Sequence, residues 1–91
     1  MPLERYAGTY VDSAYGTIRV ALADGKLRAQ IVNEPEESLE PASFDVFRTR
    51  PADPGRSAVA LTFVPDGSGN VSAIRLAGVT FSRVATTGRR Q

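Results

Sequence analysis

Apolar and polar residues alternate along most of this 91-residue chain, and the period is two. Ile18, Val20 and Leu22 alternate with Thr17, Arg19 and Ala21. Past Asp24-Gly25, Leu27, Ala29 and Ile31 alternate with Lys26, Arg28 and Gln30. Successive side chains of a strand point to opposite faces, so the pattern predicts two strands, each apolar on one side. Asp-Gly supplies the positive φ angles of a two-residue turn, which joins them as a hairpin.

The same reading predicts seven strands: Tyr6 to Val11, Gly16 to Ala23, Lys26 to Val32, Ser43 to Thr49, Ser57 to Val64, Val71 to Ala77 and Val79 to Val84. Asp12-Ser13-Ala14 reads as a turn. Pro65-Asp66-Gly67-Ser68-Gly69-Asn70 reads as a hairpin loop, with proline for its first position and glycines for positive φ. Gly78 permits a sharp bend between the last two strands. Val71 and Ala73 fall on one face while Ile74 and Leu76 fall on the other, so a bulge near Ser72-Ala73 is expected. The acidic segment Asn33 to Pro41, with two prolines, reads as an exposed loop with room for one helical turn over Glu36 to Glu40. Pro51 to Arg56 is a second loop. No run is long enough for a stable helix.

Short strands at this spacing predict an all-β fold, an antiparallel up-and-down barrel or a sandwich. The expected core is Phe47, Phe63 and Phe81 with Ile18, Val20, Leu22, Leu27, Val59, Leu61 and Leu76. Residues 1–4 read as an N-terminal extension, 5–84 as the barrel and 85–91 as a flexible tail. Ninety-one residues make one domain.

Composition then removes chemistry. The chain has no histidine and no cysteine. Serine–histidine–acid and cysteine–histidine catalysis are therefore impossible, as are zinc sites of those ligands. Lys26 is the single lysine, and no serine has a lysine three residues later. No phosphate-cradling or dinucleotide-binding glycine loop follows a strand. The reading is that this chain is not an enzyme and has no catalytic, cofactor-binding or metal-binding residues. Asp45 is expected in a strand beside aromatics, paired with an arginine.

Eleven basic and ten acidic residues leave a net charge of +1, which weighs against nucleic acid as a partner. Arg48, Arg50 and Arg56 read as a solvated rim, and Arg89-Arg90 as part of the tail. No apolar run approaches the roughly 18 residues of a membrane span, and no apolar N-terminal segment of signal-peptide type is seen. Candidate interaction or pocket residues are Tyr6, Tyr10, Tyr15, Phe44 and Phe47. Tyr6 and Tyr10 share a strand face with Gly8 between them, which reads first as a closure point and second as an aromatic platform. Phe47 reads as core first and pocket lining second.

A family resemblance rests on the order of several segments: Tyr6-Ala7-Gly8-Thr9-Tyr10, Tyr15-Gly16-Thr17-Ile18-Arg19-Val20 and Asp24-Gly25-Lys26-Leu27. Asp45-Val46-Phe47, Val59-Ala60-Leu61-Thr62-Phe63, Gly69-Asn70-Val71-Ser72-Ala73-Ile74-Arg75-Leu76 and Phe81-Ser82-Arg83-Val84 follow. Together they resemble the small lipocalin-like β-barrel at the C-terminus of many serine β-lactamase-related hydrolases and peptidases of penicillin-binding-protein type. The resemblance implies a lipocalin-like barrel of seven to eight strands with no catalytic residues and no cofactor. It implies an accessory role: docking on a serine hydrolase catalytic domain, shaping access to its cleft, or self-association. The alternative is a barrel that binds a small apolar ligand. Family members often carry tryptophan or histidine where Ser43-Phe44 stands here. The catalytic domain is absent from this sequence, which is either a piece of a larger enzyme or a free-standing relative. The implied source is bacterial, and the compartment periplasmic or extracellular if the parent is exported, otherwise cytoplasmic.

Overall fold

A computed structural model describes residues 3–51, 55 and 57–84. A 3₁₀ turn over Leu3–Arg5 leads into eight strands: β1 (Gly8–Asp12), β2 (Gly16–Ala23), β3 (Lys26–Ile31), β4 (Glu37–Ser43), β5 (Val46–Arg50), β6 (Ala60–Pro65), β7 (Val71–Leu76) and β8 (Val79–Val84). Each strand pairs with its sequence neighbour, and β1 pairs antiparallel with β8, closing an up-and-down barrel. The fold is all-β and antiparallel, as the alternation predicts. Among the described residues no helix is long and apolar enough to cross a membrane.

The turns form for local reasons. Asp24 (φ 53°) and Gly25 (φ 77°) lie in the left-handed region between the paired residues Ala23 and Lys26, a two-residue turn whose twist matches that of the strands. Asp12 Oδ2 accepts the backbone N–H groups of Ala14 and Tyr15, both at 2.9 Å, and ends β1. Asp66 Oδ1 accepts the N–H and hydroxyl of Ser68, each at 2.8 Å, and the N–H of Asn70 at 3.2 Å. Those bonds, led by the one from the Ser68 backbone, hold its carboxyl below the usual carboxylate range. Between β6 and β7 the pairs Val64↔Ala73 and Pro65↔Val71 leave Ser72 as the extra residue. This bulge turns both Val71 and Ile74 inward, as the broken alternation requires.

The two barrel ends differ. One carries the β1–β2, β3–β4, β5–β6 and β7–β8 connections and is called the mouth. The other carries the remaining turns and is plugged by the segment before β1. Arg5 Nη1 donates to Gly69 O at 2.9 Å and to Asn70 Oδ1 at 3.1 Å. The Arg83 guanidinium donates to the carbonyls of Arg5 (3.1 Å), Val71 (3.2 Å) and Ala7 (2.6 Å) and lies 5.7 Å from the centre of the Tyr10 ring. It passes so close to Gly8 that a Cβ there would sit 3.0 Å from Arg83 Nε. The glycine between Tyr6 and Tyr10 therefore does mark a closure point, at the β1–β8 seam.

The interior is filled. Tyr10, Ile18, Leu61 and Ile74 have no exposed surface. The Phe63 ring meets Tyr6 at 4.8 Å, Phe47 at 5.5 Å and Tyr10 at 6.1 Å between centroids, all edge to face, a geometry that the ring quadrupoles favour.

Several expectations are corrected. The acidic segment is not simply a loop, and Glu36 to Glu40 is not helical: Glu37–Ser43 is β4, the eighth strand. Leu22 and Val59 are exposed rather than core, because each lies at or beyond a strand end where the wall stops; Leu76 is only partly buried. Tyr6 precedes β1 instead of sharing it with Tyr10. β5 begins at Val46, not Ser43, and β6 at Ala60, not Ser57. Asp45 accordingly lies in a turn. The tail 85–91, Arg56 and most of the loop 51–56 lie outside the described residues.

Candidate functional site

The buried carboxylate is the first place to look for chemistry. Asp45, at φ 58° in the β4–β5 turn, is buried. Its Oδ1 accepts the Tyr6 hydroxyl at 2.6 Å, and its carbonyl accepts the Phe63 N–H at 2.8 Å. Its partner is thus a phenol where an arginine was expected. Burial, with the hydrogen bond and charge of Asp45 behind it, pushes the Tyr6 phenol up to about 12. A phenol held that high stays protonated at neutral pH and serves as a fixed donor. Tyr6 O in turn accepts the Tyr10 hydroxyl at 2.8 Å, so the Tyr10–Tyr6–Asp45 chain fastens the plug to the β4–β5 turn.

A structural role makes a specific prediction. Asp45→Asn keeps an acceptor for Tyr6 and tolerates positive φ, so it should cost less than about 1 kcal/mol. Asp45→Ala leaves the phenol unsatisfied and should cost about 1–3 kcal/mol. Urea denaturation of the two variants checks the order.

The second place is the mouth. Tyr15, 61% exposed, stands beside Val32, Leu76, Ala77, Val79 and Phe81 around an open apolar cavity of about 260 Å³. A polar cleft of about 370 Å³ shares Tyr15 and Val32 with it and is lined also by Ser13, Thr17, Arg19 and Asn33. Between the two cavities Val32 has φ 53°. A β-branched residue in the left-handed region is strained by roughly 1–3 kcal/mol. The bond from its N–H to Thr17 O, 2.8 Å, helps hold it there. Gly16 lies beneath, where an added Cβ would be 3.3 Å from Val32 Cγ1.

The five aromatic candidates thus separate. Tyr6, Tyr10 and Phe47 are interior; none of them forms an outward platform. Tyr15 is at the mouth, and Phe44, 86% exposed, is at the tip of the β4–β5 turn near the plugged end. The site residues that sequence reasoning missed are Val32, Leu76 and Val79. Their only signal was position at strand ends flanking turns, which carries no address until the barrel closes.

The profile of DUF3471, a domain of unknown function, matches residues 1–90. The chain belongs to the DUF3471 family. No curated protein matches it. Among solved structures, the crystal structure of SurE with D-Leu contains a similar barrel, with a TM-score of 0.79 and 22% identity. That match covers 92% of this chain and 20% of SurE, so the DUF3471 barrel spans about a fifth of the SurE chain. At this identity the likeness concerns the fold. In the DUF3471 barrel described here, the mouth is where apolar side chains, a phenol and a guanidinium meet an open surface.

Proposed function

We propose that this DUF3471 barrel is a non-catalytic accessory domain that docks through its mouth on a serine β-lactamase-like hydrolase domain and shapes access to that domain's cleft. The observation that carries the reading is the apolar mouth, with exposed Tyr15 and strained Val32, on a barrel whose interior is already packed. A cavity of about 260 Å³ takes one large apolar side chain from a partner surface, the kind of anchor around which interfaces concentrate their energy. The segment order quoted above supports the hydrolase as partner. The barrel's share of SurE supports its use as one part of a longer polypeptide.

Sedimentation velocity of the chain mixed with a serine β-lactamase-like hydrolase domain is the test. Co-sedimentation that weakens at least about tenfold in Tyr15→Ala or Val79→Asp is expected. Each variant's fold would be verified by circular dichroism. Strictly separate species at all concentrations would overturn the proposal. The same cavity carries a second reading, capture of a small apolar molecule. Saturable one-to-one uptake of a fatty acid or an environment-sensitive dye, lost in Val79→Asp, would favour it.

A further inference from the structure

The outer wall of the barrel is charged on one half and nearly neutral on the other. Buried residues such as Ile18, Leu27, Leu39 and Phe47 mark the inward positions of their strands, and the outward ones alternate with them. On β2 to β5 the outward positions carry Arg19, Lys26, Arg28, Glu40, Arg48 and Arg50. On β6, β7, β8 and β1 they carry threonine, serine, valine and alanine with a single charge, Arg75. Arg83, the other arginine of these four strands, turns inward against the Tyr10 ring. Asp12, at the end of β1, is engaged by the β1–β2 turn.

Two rows cross the neutral half. Thr62, Arg75 and Thr80 stand opposite one another on β6, β7 and β8, and Val64, Ala73, Ser82 and Val11 form the next row, across to β1. Arg75 is exposed, and no described carboxylate pairs with it. It adjoins Leu76, which with its register partner Val79 lines the mouth cavity, so this wall runs straight on from the mouth. Docking at the mouth cannot be the whole contact. A specific interface engages roughly 20–30 residues a side, and the mouth cavity offers only Tyr15, Val32, Leu76, Ala77, Val79 and Phe81. The footprint must spread over the rim onto a wall, and desolvation decides which one. Covering β2 to β5 would strip water from every charge on that half, whereas the opposite half requires it of one guanidinium. Interface centres are depleted of charge yet enriched in arginine, which describes this wall.

We propose, resting on the docking reading above, that the hydrolase domain seated on the mouth continues down the β6–β7–β8–β1 wall and brings a carboxylate to Arg75. A guanidinium covered by a partner loses its water and needs a charged acceptor in exchange, which a carboxylate supplies with two parallel hydrogen bonds. The outward positions of this wall hold no carboxylate. A symmetric pair of copies would set the same patch against itself, and neither copy could supply the acid. The partner is therefore a different surface, neutral around one acidic side chain. The charged half, β2 to β5, stays in solvent.

Sedimentation velocity of the chain with a serine β-lactamase-like hydrolase domain tests the footprint. Arg75→Glu should weaken association at least about tenfold, because it sets two carboxylates against each other. Ser82→Arg, which puts a bulky charge on the same wall, should do likewise. Lys26→Glu makes the same change of net charge on β3, across the eight-stranded ring, and should alter affinity by less than about twofold. Raising salt from about 0.05 to 0.5 M should weaken the wild type more than Arg75→Gln. Circular dichroism verifies the fold of each variant. Association that Tyr15→Ala weakens but Arg75→Glu and Ser82→Arg leave intact would overturn the wall contact while docking at the mouth stands. Equal effects of Arg75→Glu and Lys26→Glu would show that only net charge is read, and equally overturn it. Absence of any wild-type association would overturn the docking reading itself, and this inference with it.

Discussion

Phe63→Ala is expected to lower the stability of the chain by about 3–5 kcal/mol. Phe63 is the ring at which the interior converges, meeting Tyr6, Phe47 and Tyr10 edge to face. Its loss removes apolar burial, three ring contacts and the support under Tyr6, whose hydroxyl ties the plug to Asp45. A closed barrel cannot collapse readily into the resulting hole, because its wall is fixed by hydrogen-bonded ladders, so the cost falls at the upper end of the range. Domain stabilities are commonly about 5–15 kcal/mol, and a loss of this size leaves a substantial unfolded fraction. Urea denaturation should show a lower midpoint with an unchanged slope, the mark of lost stability without a change in exposed area. Phe44→Ala is the control. That ring is exposed, and its removal should move stability by less than about 0.5 kcal/mol. Comparable midpoints in the two variants would mean the interior is not organised around Phe63.

Much of the architecture is legible in the alternation because each signal has a local cause. Asp24-Gly25 turns the chain through two positive φ angles that need no tertiary help. The broken alternation at Ser72-Ala73 reports a bulge because Val71 and Ile74 must both face inward. β4 was hidden for a physical reason. Glu37 and Leu39 face in and Ser38 faces out, the expected period, but two prolines and the glutamates give the segment the composition of a loop. Pro41 is tolerated in the strand because the edge it faces has no neighbour there. Leu22 and Val59 share the pattern of core residues and lose burial only because strands end beside them. The candidate sites are less legible still. Tyr15 and Phe44 have the composition of core residues, and only the geometry of the two barrel ends shows that both are exposed. Val32, Leu76 and Val79 become neighbours through barrel closure, a non-local event.

Alkaline solution should unfold this protein through its buried tyrosines. Burial pushes the Tyr10 phenol up to about 12, with Arg83 opposing in part, and Tyr6 rises to about 12 as well. The sign follows from proton binding. Below pH ~10 both folded and unfolded chains hold these protons, and stability is insensitive to them. Between about pH 10 and 12 the unfolded chain releases protons that the folded barrel retains, so stability falls with rising pH. At about 1.4 kcal/mol per pKa unit, Tyr10 alone contributes roughly 2–3 kcal/mol to that fall, and Tyr6 adds in the same direction. Deprotonating Tyr6 would also place a phenolate 2.6 Å from the Asp45 carboxylate, so the plug should release first. Urea midpoints measured across this range should be flat to about pH 9 and then drop steeply, with phenolate absorbance rising together with loss of the near-ultraviolet dichroism. Tyr10→Phe should start from lower stability, having lost the bond to Tyr6 O, yet decline less steeply above pH ~10. Tyr15→Phe should leave the profile unchanged. A midpoint that stays level to about pH 12 would show that neither interior phenol governs the barrel's stability.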